Sequence, residues 1–206
     1  MQEREQWCAV TILVFSDSHS GLSMMRRCME KFKPQAVIHL GDFYEDAEAI
    51  QDDYRHIPFH IVAGNCDRNR CPLSAREMLC YPVGGVMMFM AHGHNHKVEM
   101  GLGALLNDAR RYGAQIALFG HTHQACCVQE EDGLVVMNPG TCAVFGGSAG
   151  LIETDGKKYL NIHFNGYDKY ILIKELQLKG KKRMRVEEFL RGFQIARKEG
   201  IILKIS

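Results

Sequence analysis

The stretch Ile116-Ala117-Leu118-Phe119-Gly120-His121-Thr122-His123 closes an apolar run with two histidines in alternate positions. The apolar part predicts a buried strand, and the glycine marks its end. Side chains two residues apart in extended backbone point the same way, so both imidazoles would face one small volume. Imidazole is the commonest metal ligand in proteins. Taken alone the pair is a weak signal, because surface or packed histidines give the same spacing.

The bulk composition is that of a soluble globular protein. The chain has 206 residues, of which 46% are hydrophobic, and this suits one domain or one domain plus an appendage. No apolar run approaches the ~20 residues that a membrane span needs. Residues 1–6 carry charges of both signs and lack the hydrophobic core of a secretory signal. We therefore expect a cytoplasmic protein that does not enter a membrane.

The eight cysteines include no Cys-x-x-Cys pair. This argues against a thiolate zinc site, and the absence of a secretory signal argues against a disulfide framework. Most of these cysteines are expected to pack as small hydrophobic residues.

Charge divides the chain into an acidic body and a basic tail. Residues 168–206 hold 11 Lys/Arg and 5 Asp/Glu, whereas residues 1–167 hold 14 and 19. We expect a domain over 1–167 and a C-terminal extension over 168–206, with a helix over 183–199. The tail could be a nucleic-acid arm. The favoured interpretation is a helical extension that packs on the acidic domain or forms a dimer contact.

Alternating strand and helix patterns predict the fold class. Apolar runs predict strands over 8–15, 36–40, 59–63, 77–82, 86–91, 116–119, 126–130, 134–137, 150–154 and 158–163, and helices over 21–33, 45–54 and 101–112. The order is strand–helix–strand–helix–strand, followed by hairpins around one more helix. We expect a layered α/β fold, a two-sheet sandwich (α/β/β/α) with mixed sheets and the helices outside.

Polar residues that can bind metal follow five of these strands. They are Asp17 and His19, Asp42, Asn65, His92, and His121 with His123. Sites in α/β sheets gather outside the carboxyl ends of the strands, so these seven side chains should converge. His39 lies inside its strand and is expected to be a core histidine.

The ligand types narrow the choice of metal. Seven nitrogen and oxygen donors exceed the requirement of one tetrahedral zinc and suit two ions that share a ligand. Mn, Fe, Ni, Co and Zn ions all fit these donors, because affinity order alone does not choose among them. Manganese is the favoured ion.

The motifs Asp17-x-His19, Gly41-Asp42, Gly64-Asn65-x-Asp67, His92-Gly93-His94 and Gly120-His121-Thr122-His123 resemble the calcineurin-like metallophosphoesterase superfamily. The resemblance covers about residues 9–165, and the Asn138-Pro139-Gly140-Thr141 turn is similar to the compact bacterial and archaeal phosphodiesterase branch. It implies a two-sheet sandwich with two divalent metal ions. Asp17, His19 and His123 would hold one ion, and Asn65, His92 and His121 the other. Asp42 and a hydroxide would bridge them, and the hydroxide would attack phosphorus in line.

Cys66 is a departure from many members of this superfamily, which place histidine there and use it near the leaving group. A thiol is a weak hydrogen-bond donor, so we expect phosphodiester rather than phosphomonoester substrates. His94 is the alternative acid or phosphate contact. Cys66 and His94 are thus the candidate catalytic residues beside the metal ligands. Asp67 is expected either to orient a ligand or to cap a turn.

Three functions remain open from the sequence. The favoured one is hydrolysis of a small phosphodiester. The second is a scaffold without catalysis, for which the resemblance supplies a precedent in a retromer subunit with a degraded site. The third is a nuclease acting on single-stranded nucleic acid, for which the basic tail is the only support. The motifs do not determine the substrate or the oligomeric state. A homo-oligomer is possible.

Overall fold

Twelve strands and three α-helices occur in the part of the chain that the structure describes. The computed structural model describes residues 10–143, 147–154, 159–166, 175–176 and 184–185. The strands are β1 (Val10–Phe15), β2 (Ala36–His39), β3 (Phe59–Ile61), β4 (Met78–Val83), β5 (Val86–Ala91), β6 (Ile116–Leu118), β7 (Cys126–Gln129), β8 (Val135–Asn138), β9 (Ser148–Thr154), β10 (Tyr159–Gly166), β11 (Glu175–Leu176) and β12 (Met184–Arg185). The helices are α1 (Leu22–Phe32), α2 (Tyr44–Asp53) and α3 (Gly103–Arg111), and short 3₁₀ turns lie at Asn65–Asp67 and His94–His96.

Two five-stranded mixed sheets form the centre of the fold. The first sheet has the order β10-β9-β1-β2-β3, in which β1, β2 and β3 are parallel and β9 and β10 are antiparallel additions. The second sheet has the order β4-β5-β6-β8-β7, in which β5, β6 and β8 are parallel. The parallel strands of each sheet therefore release their loops at one edge, where ligands collect in α/β proteins.

The apolar side chains divide into three layers of core. Alternate residues of β1 show the division, since Ile12 and Val14 pack between the sheets while Leu13 and Phe15 pack toward α1 and α2. The second sheet buries Met88 and Leu118 between the sheets. Its outer face packs against α3. Strands with both faces buried read as continuous apolar runs, which explains the sequence pattern.

Helix α1 buries one stripe of residues against the first sheet. Met24, Met25, Cys28 and Met29 are buried there, as expected for core methionines. The helix ends at Lys33, whose backbone is left-handed and whose N–H bonds to the Met29 carbonyl. Pro34 then prevents further helix.

The predicted α/β two-sheet sandwich is confirmed, and the predicted strands and helices of the body differ from the observed ones by a few residues at their ends. The antiparallel pairing of β9 with β10 is also confirmed, although the turn at Asp155–Gly156 lies outside the described residues. None of the described helices has the length and apolar character needed to cross a bilayer.

The prediction of a helix beginning at Arg183 is wrong at the two positions that can be checked. Met184 and Arg185 form β12, which pairs antiparallel with β11. Apolar periodicity is a weak signal at a helix start, so the sequence pattern did not reveal this two-residue ladder. Residue 183 and residues 186–199 of that predicted helix lie outside the described residues.

Candidate metal centre

The seven predicted ligands lie at the carboxyl ends of parallel strands from both sheets. The first sheet supplies Asp17, His19, Asp42 and Asn65, and the second supplies His92, His121 and His123. Five of the seven have left-handed backbones, with φ of 52° at Asp17, 40° at His19, 59° at Asp42, 65° at His121 and 58° at His123. Such backbones are strained for residues other than glycine and are found at functional sites.

Asp17, His19 and His123 form the first half of the centre. Their nearest ligand atoms all lie within 4.8 Å of one another. The Oδ2 atom of Asp17 accepts hydrogen bonds from Ser16 Oγ and the His121 N–H. Its Oδ1 is buried without a hydrogen-bond partner among the described residues, as is Nε2 of His19. His123 Nε2 is 3.1 Å from that Oδ1 but does not meet hydrogen-bond geometry. Orphaned buried polar atoms of this kind require a missing partner.

His92 and Asp42 form the second half of the centre together with Asp17. His92 Nδ1 is 2.7 Å from the Leu40 carbonyl oxygen. A carbonyl can only accept, so Nδ1 carries a hydrogen and Nε2 is the ring atom left to face the site. That Nε2 lies 3.0 Å from Asn65 Oδ1, 3.5 Å from Asp42 Oδ1 and 4.0 Å from Asp17 Oδ1.

Three side-chain oxygens, from Asn65, Asp42 and Asp17, therefore lie around Nε2 of His92 at the rim of the buried site. Acceptors repel one another unless a proton or a cation lies between them, and carboxylate, amide oxygen and imidazole are ligands for divalent ions. The residues present thus fit a metal ion. The two halves share Asp17 in this geometry, whereas the resemblance assigns the shared position to Asp42. Burial acts to raise the pKa of the Asp42 carboxyl, but His92 and the Cys66 N–H outweigh it, and the pKa lies below its usual value.

His121 lies beside the second half without joining its tight cluster. Its ring centroid is 5.2 Å from that of His92. Its Nε2 is 3.6 Å from Oε2 of Glu99, a residue that the motifs did not single out. A role for His121 as a ligand stays a prediction.

The two candidate catalytic residues flank the second half. The Cys66 N–H donates to Asp42 Oδ1 at 2.9 Å, and its thiol is exposed. Partial desolvation and the Asp42 carboxylate raise the pKa of the Cys66 thiol to about 11. The His94 ring centroid is 5.4 Å from that of His92. Burial, assisted by His92, lowers the pKa of His94 below its usual value, so its imidazole is neutral near pH 7.

Comparison with known proteins decides the family. The model of the calcineurin-like phosphoesterase superfamily domain matches residues 10–160. The chain belongs to this superfamily. The phosphodiesterase MJ0936 of Methanocaldococcus jannaschii is 27% identical over 169 residues, which cover 72% of this chain and 96% of that protein. Family and relative together support a metal-dependent phosphoesterase.

Solved structures of similar fold include both enzymes and trafficking proteins. A predicted phosphoesterase from Streptococcus pneumoniae aligns with a TM-score of 0.62 and 22% identity, over 86% of this chain and 98% of that one. Vacuolar protein sorting 29 from Cryptosporidium parvum aligns with a TM-score of 0.64 and 18% identity, over the same shares of the two chains. At these identities the likeness shows the fold alone.

Asp67 holds two loops of this phosphoesterase together. It is fully buried, and its carboxylate accepts four backbone N–H groups. Oδ2 accepts from Gly64 at 2.7 Å and from Asp42 at 2.9 Å, while Oδ1 accepts from Phe43 at 2.7 Å and from Tyr44 at 2.8 Å. It thus caps the first turn of α2, which confirms the capping role, and it fixes the backbone of Asp42; that it orients a metal ligand stays a prediction.

A buried polar chain connects the first two loops through His39. The Gly41 N–H donates to His39 Nδ1, so Nε2 of the neutral ring donates to Ser18 Oγ, and Ser18 donates to Asp46 Oδ2 at 2.7 Å. Burial lowers the pKa of His39 to about 4, which keeps the ring neutral. The prediction of a core histidine is confirmed. Ser18 and Asp46 were not predicted as site residues, because neither repeats a ligand motif.

Asn138 supports the loop that carries the two histidines of the opening motif. Its Nδ2 donates to the Gly120 carbonyl at 2.8 Å and to Thr122 Oγ1 at 3.0 Å, and its Oδ1 accepts from the Gly140 N–H. An added Cβ at Gly120 would collide with Ser16 Oγ. The Gly120 backbone therefore lies directly against the Ser16 side chain, an approach that a Cβ at position 120 would block.

Proposed function

We propose that this chain hydrolyses phosphodiesters with two divalent metal ions held at the candidate metal centre. Asp17, His19 and His123 would hold one ion, and Asn65, His92 and His121 the other, with Asp42 between them. The observation that carries the proposal is the convergence of acceptor atoms around Nε2 of His92, whose other nitrogen is committed to the Leu40 carbonyl. Bound ions would activate water and neutralise phosphate charge for an in-line displacement.

The preference for diesters rests on the groups around that centre. A monoester carries one more negative charge and gains more from a proton donor at its leaving group. The Cys66 thiol is protonated at neutral pH but is a weak donor. The neutral imidazole of His94 keeps one N–H, which donates a stronger hydrogen bond than a thiol, so His94 is the better candidate to contact the leaving-group oxygen.

The test is hydrolysis of an aryl phosphodiester by chelator-treated protein supplied with Mn²⁺. The wild type should be active and Asp42→Asn should lose at least about 100-fold, since even a group behind a metal ligand contributes 10–100-fold. Asp52→Asn, the same change on an exposed carboxylate, is the matched control. Undiminished activity of Asp42→Asn would contradict the proposal. A panel with Fe, Ni, Co and Zn then identifies the preferred ion.

A scaffold without catalysis is the second candidate, favoured by the likeness of fold to vacuolar protein sorting 29. The two functions differ in metal content. Protein purified without chelator should contain two ions per chain if it is the proposed enzyme. Less than one ion per chain, together with no diester hydrolysis under any of these metals, would favour the scaffold.

A further inference from the structure

A cation and an aromatic ring border the first half of the metal centre. Phe43 precedes α2 with a left-handed backbone, and its ring meets the His19 ring edge-on with centroids 4.9 Å apart. The guanidinium carbon of Arg70 lies 5.2 Å from the centre of the Phe43 ring. A single ring therefore separates the guanidinium from a predicted metal ligand, and the cation–π contact fixes its direction.

Arg70 is weakly engaged by its acidic neighbour. Its Nη1 is 3.5 Å from Glu45 Oε1, and the two side chains are 54% and 44% exposed. An exposed ion pair of this kind is weak, because water and salt screen both charges. A guanidinium has five N–H donors in a planar fork that suits phosphate or carboxylate, so an arriving anion can compete with Glu45.

The charge beside the other half of the centre has the opposite sign. Glu99 Oε2 lies 3.6 Å from His121 Nε2, and the Glu99 side chain is half-exposed. A substrate with an extra negative charge would be repelled at Glu99 and attracted at Arg70. The metal centre is thus bordered asymmetrically, and the asymmetry would select how an unsymmetrical diester lies across it.

We infer that this phosphoesterase acts on phosphodiesters in which one substituent carries a second negative charge, and that Arg70, stacked on Phe43, binds that charge. The inference rests on the proposed function, because it assigns the substrate class of the same centre. It makes Arg70 a specificity-determining residue that touches substrate away from the reacting phosphorus.

The experiment compares two substrates with the same leaving group. Phenyl 4-nitrophenyl phosphate has one negative charge, and 4-carboxyphenyl 4-nitrophenyl phosphate has two. In the metal-loaded wild type, KM should be lower for the second substrate. Arg70→Gln should raise KM for that substrate about three- to tenfold and leave KM for the first within about twofold, with kcat little changed. The preference of the wild type should weaken as salt is added, because exposed charges are screened.

Three further variants separate binding from a structural role. Arg68→Gln removes a neighbouring exposed arginine and should not alter the preference. Glu45→Gln removes the competing anion and should preserve or strengthen it, whereas a merely structural Arg70 would make Glu45→Gln resemble Arg70→Gln. Arg70→Lys keeps the charge without the planar fork and should retain part of the preference.

The outcomes distinguish this inference from the proposed function. Equal KM values for the two substrates in the wild type, or an Arg70→Gln variant that keeps the preference, would overturn the inference while leaving diester hydrolysis intact. Failure to hydrolyse either substrate with any of the metals would overturn the proposed function itself.

Discussion

Asp67 is not a predicted metal ligand, but replacing it by asparagine should lower the free energy of unfolding substantially. The carboxylate accepts four backbone N–H groups, two on each oxygen. Asparagine keeps one acceptor oxygen and presents an NH₂ group in place of the other. Two of the four N–H groups would then lose their acceptor and face a second donor, in a position that is fully buried.

The size of the effect follows from these lost bonds. A hydrogen bond to a charged group contributes about 1.5–3 kcal/mol, and a buried donor without a partner costs about 1–3 kcal/mol. With two donors affected, the free energy of unfolding should fall by about 3–5 kcal/mol. The free energy of unfolding of a small domain is about 5–15 kcal/mol in total, so the variant should still fold.

Urea unfolding of metal-free protein measures this loss without a contribution from bound metal. Asp52→Asn is the matched control, because Asp52 pairs with Arg55 on the surface and is 73% exposed. Its effect should stay within about 0.5 kcal/mol. If Asp67→Asn costs less than about 1 kcal/mol, or no more than the control, the carboxylate does not hold the two loops together.

Three other outcomes are expected. Because His39 has its pKa lowered to about 4, the unfolded chain binds more protons than the folded one below pH 6.5, so metal-free protein should lose about 3 kcal/mol between pH 6.5 and 4. Urea midpoints across this range should show that slope, and His39→Gln should flatten it. If the His94 N–H donates a hydrogen bond to the leaving group, His94→Ala should lower kcat roughly 10-fold for an alkyl diester and much less for a 4-nitrophenyl diester, whose leaving group is stable as an anion; equal losses would exclude that role. Gly64→Ala should reduce metal affinity measured by calorimetry, because an added Cβ would collide with Oδ1 of Asp42, and an unchanged affinity would show that the loop can move aside.

The fold was predictable because the central strands are buried on both faces. Residues 12–15 and 116–118 are all apolar and buried, and their runs end at Ser16 and, after Phe119, at Gly120. Alternation puts Ile12 and Val14 on one face of β1 and Leu13 and Phe15 on the other. Which face lies between the two sheets is known only from the packing of the sheets. The two-residue strands β11 and β12 were missed, because a ladder of that length leaves no periodicity in sequence.

The candidate ligands were predictable for a different reason. Each follows a strand directly, so its position in space depends on sheet topology and little on loop detail. The hydrogen bonds that position the loops carrying those ligands were not predictable. The contact of Asp67 with the backbone of Phe43 and Tyr44, and the chain from His39 through Ser18 to Asp46, join segments that are more than twenty residues apart. The position of Arg70 on Phe43 likewise depends on how one loop folds over another.

The origin of the ligands has a consequence for the whole sandwich. Each half of the centre combines Asp17 from the first sheet with an imidazole from the second, His123 in one half and His92 in the other. A bound ion would therefore cross-link two layers that otherwise meet through apolar side chains and a few hydrogen bonds, such as that between His92 and the Leu40 carbonyl. Chelation should leave the ladders within each sheet intact and permit the layers to part, which would expose valine and methionine faces to water. If metal coordination stabilises this interface, amide hydrogen exchange should accelerate in both sheets together when the metal is removed. The metal-free protein should also tend to aggregate.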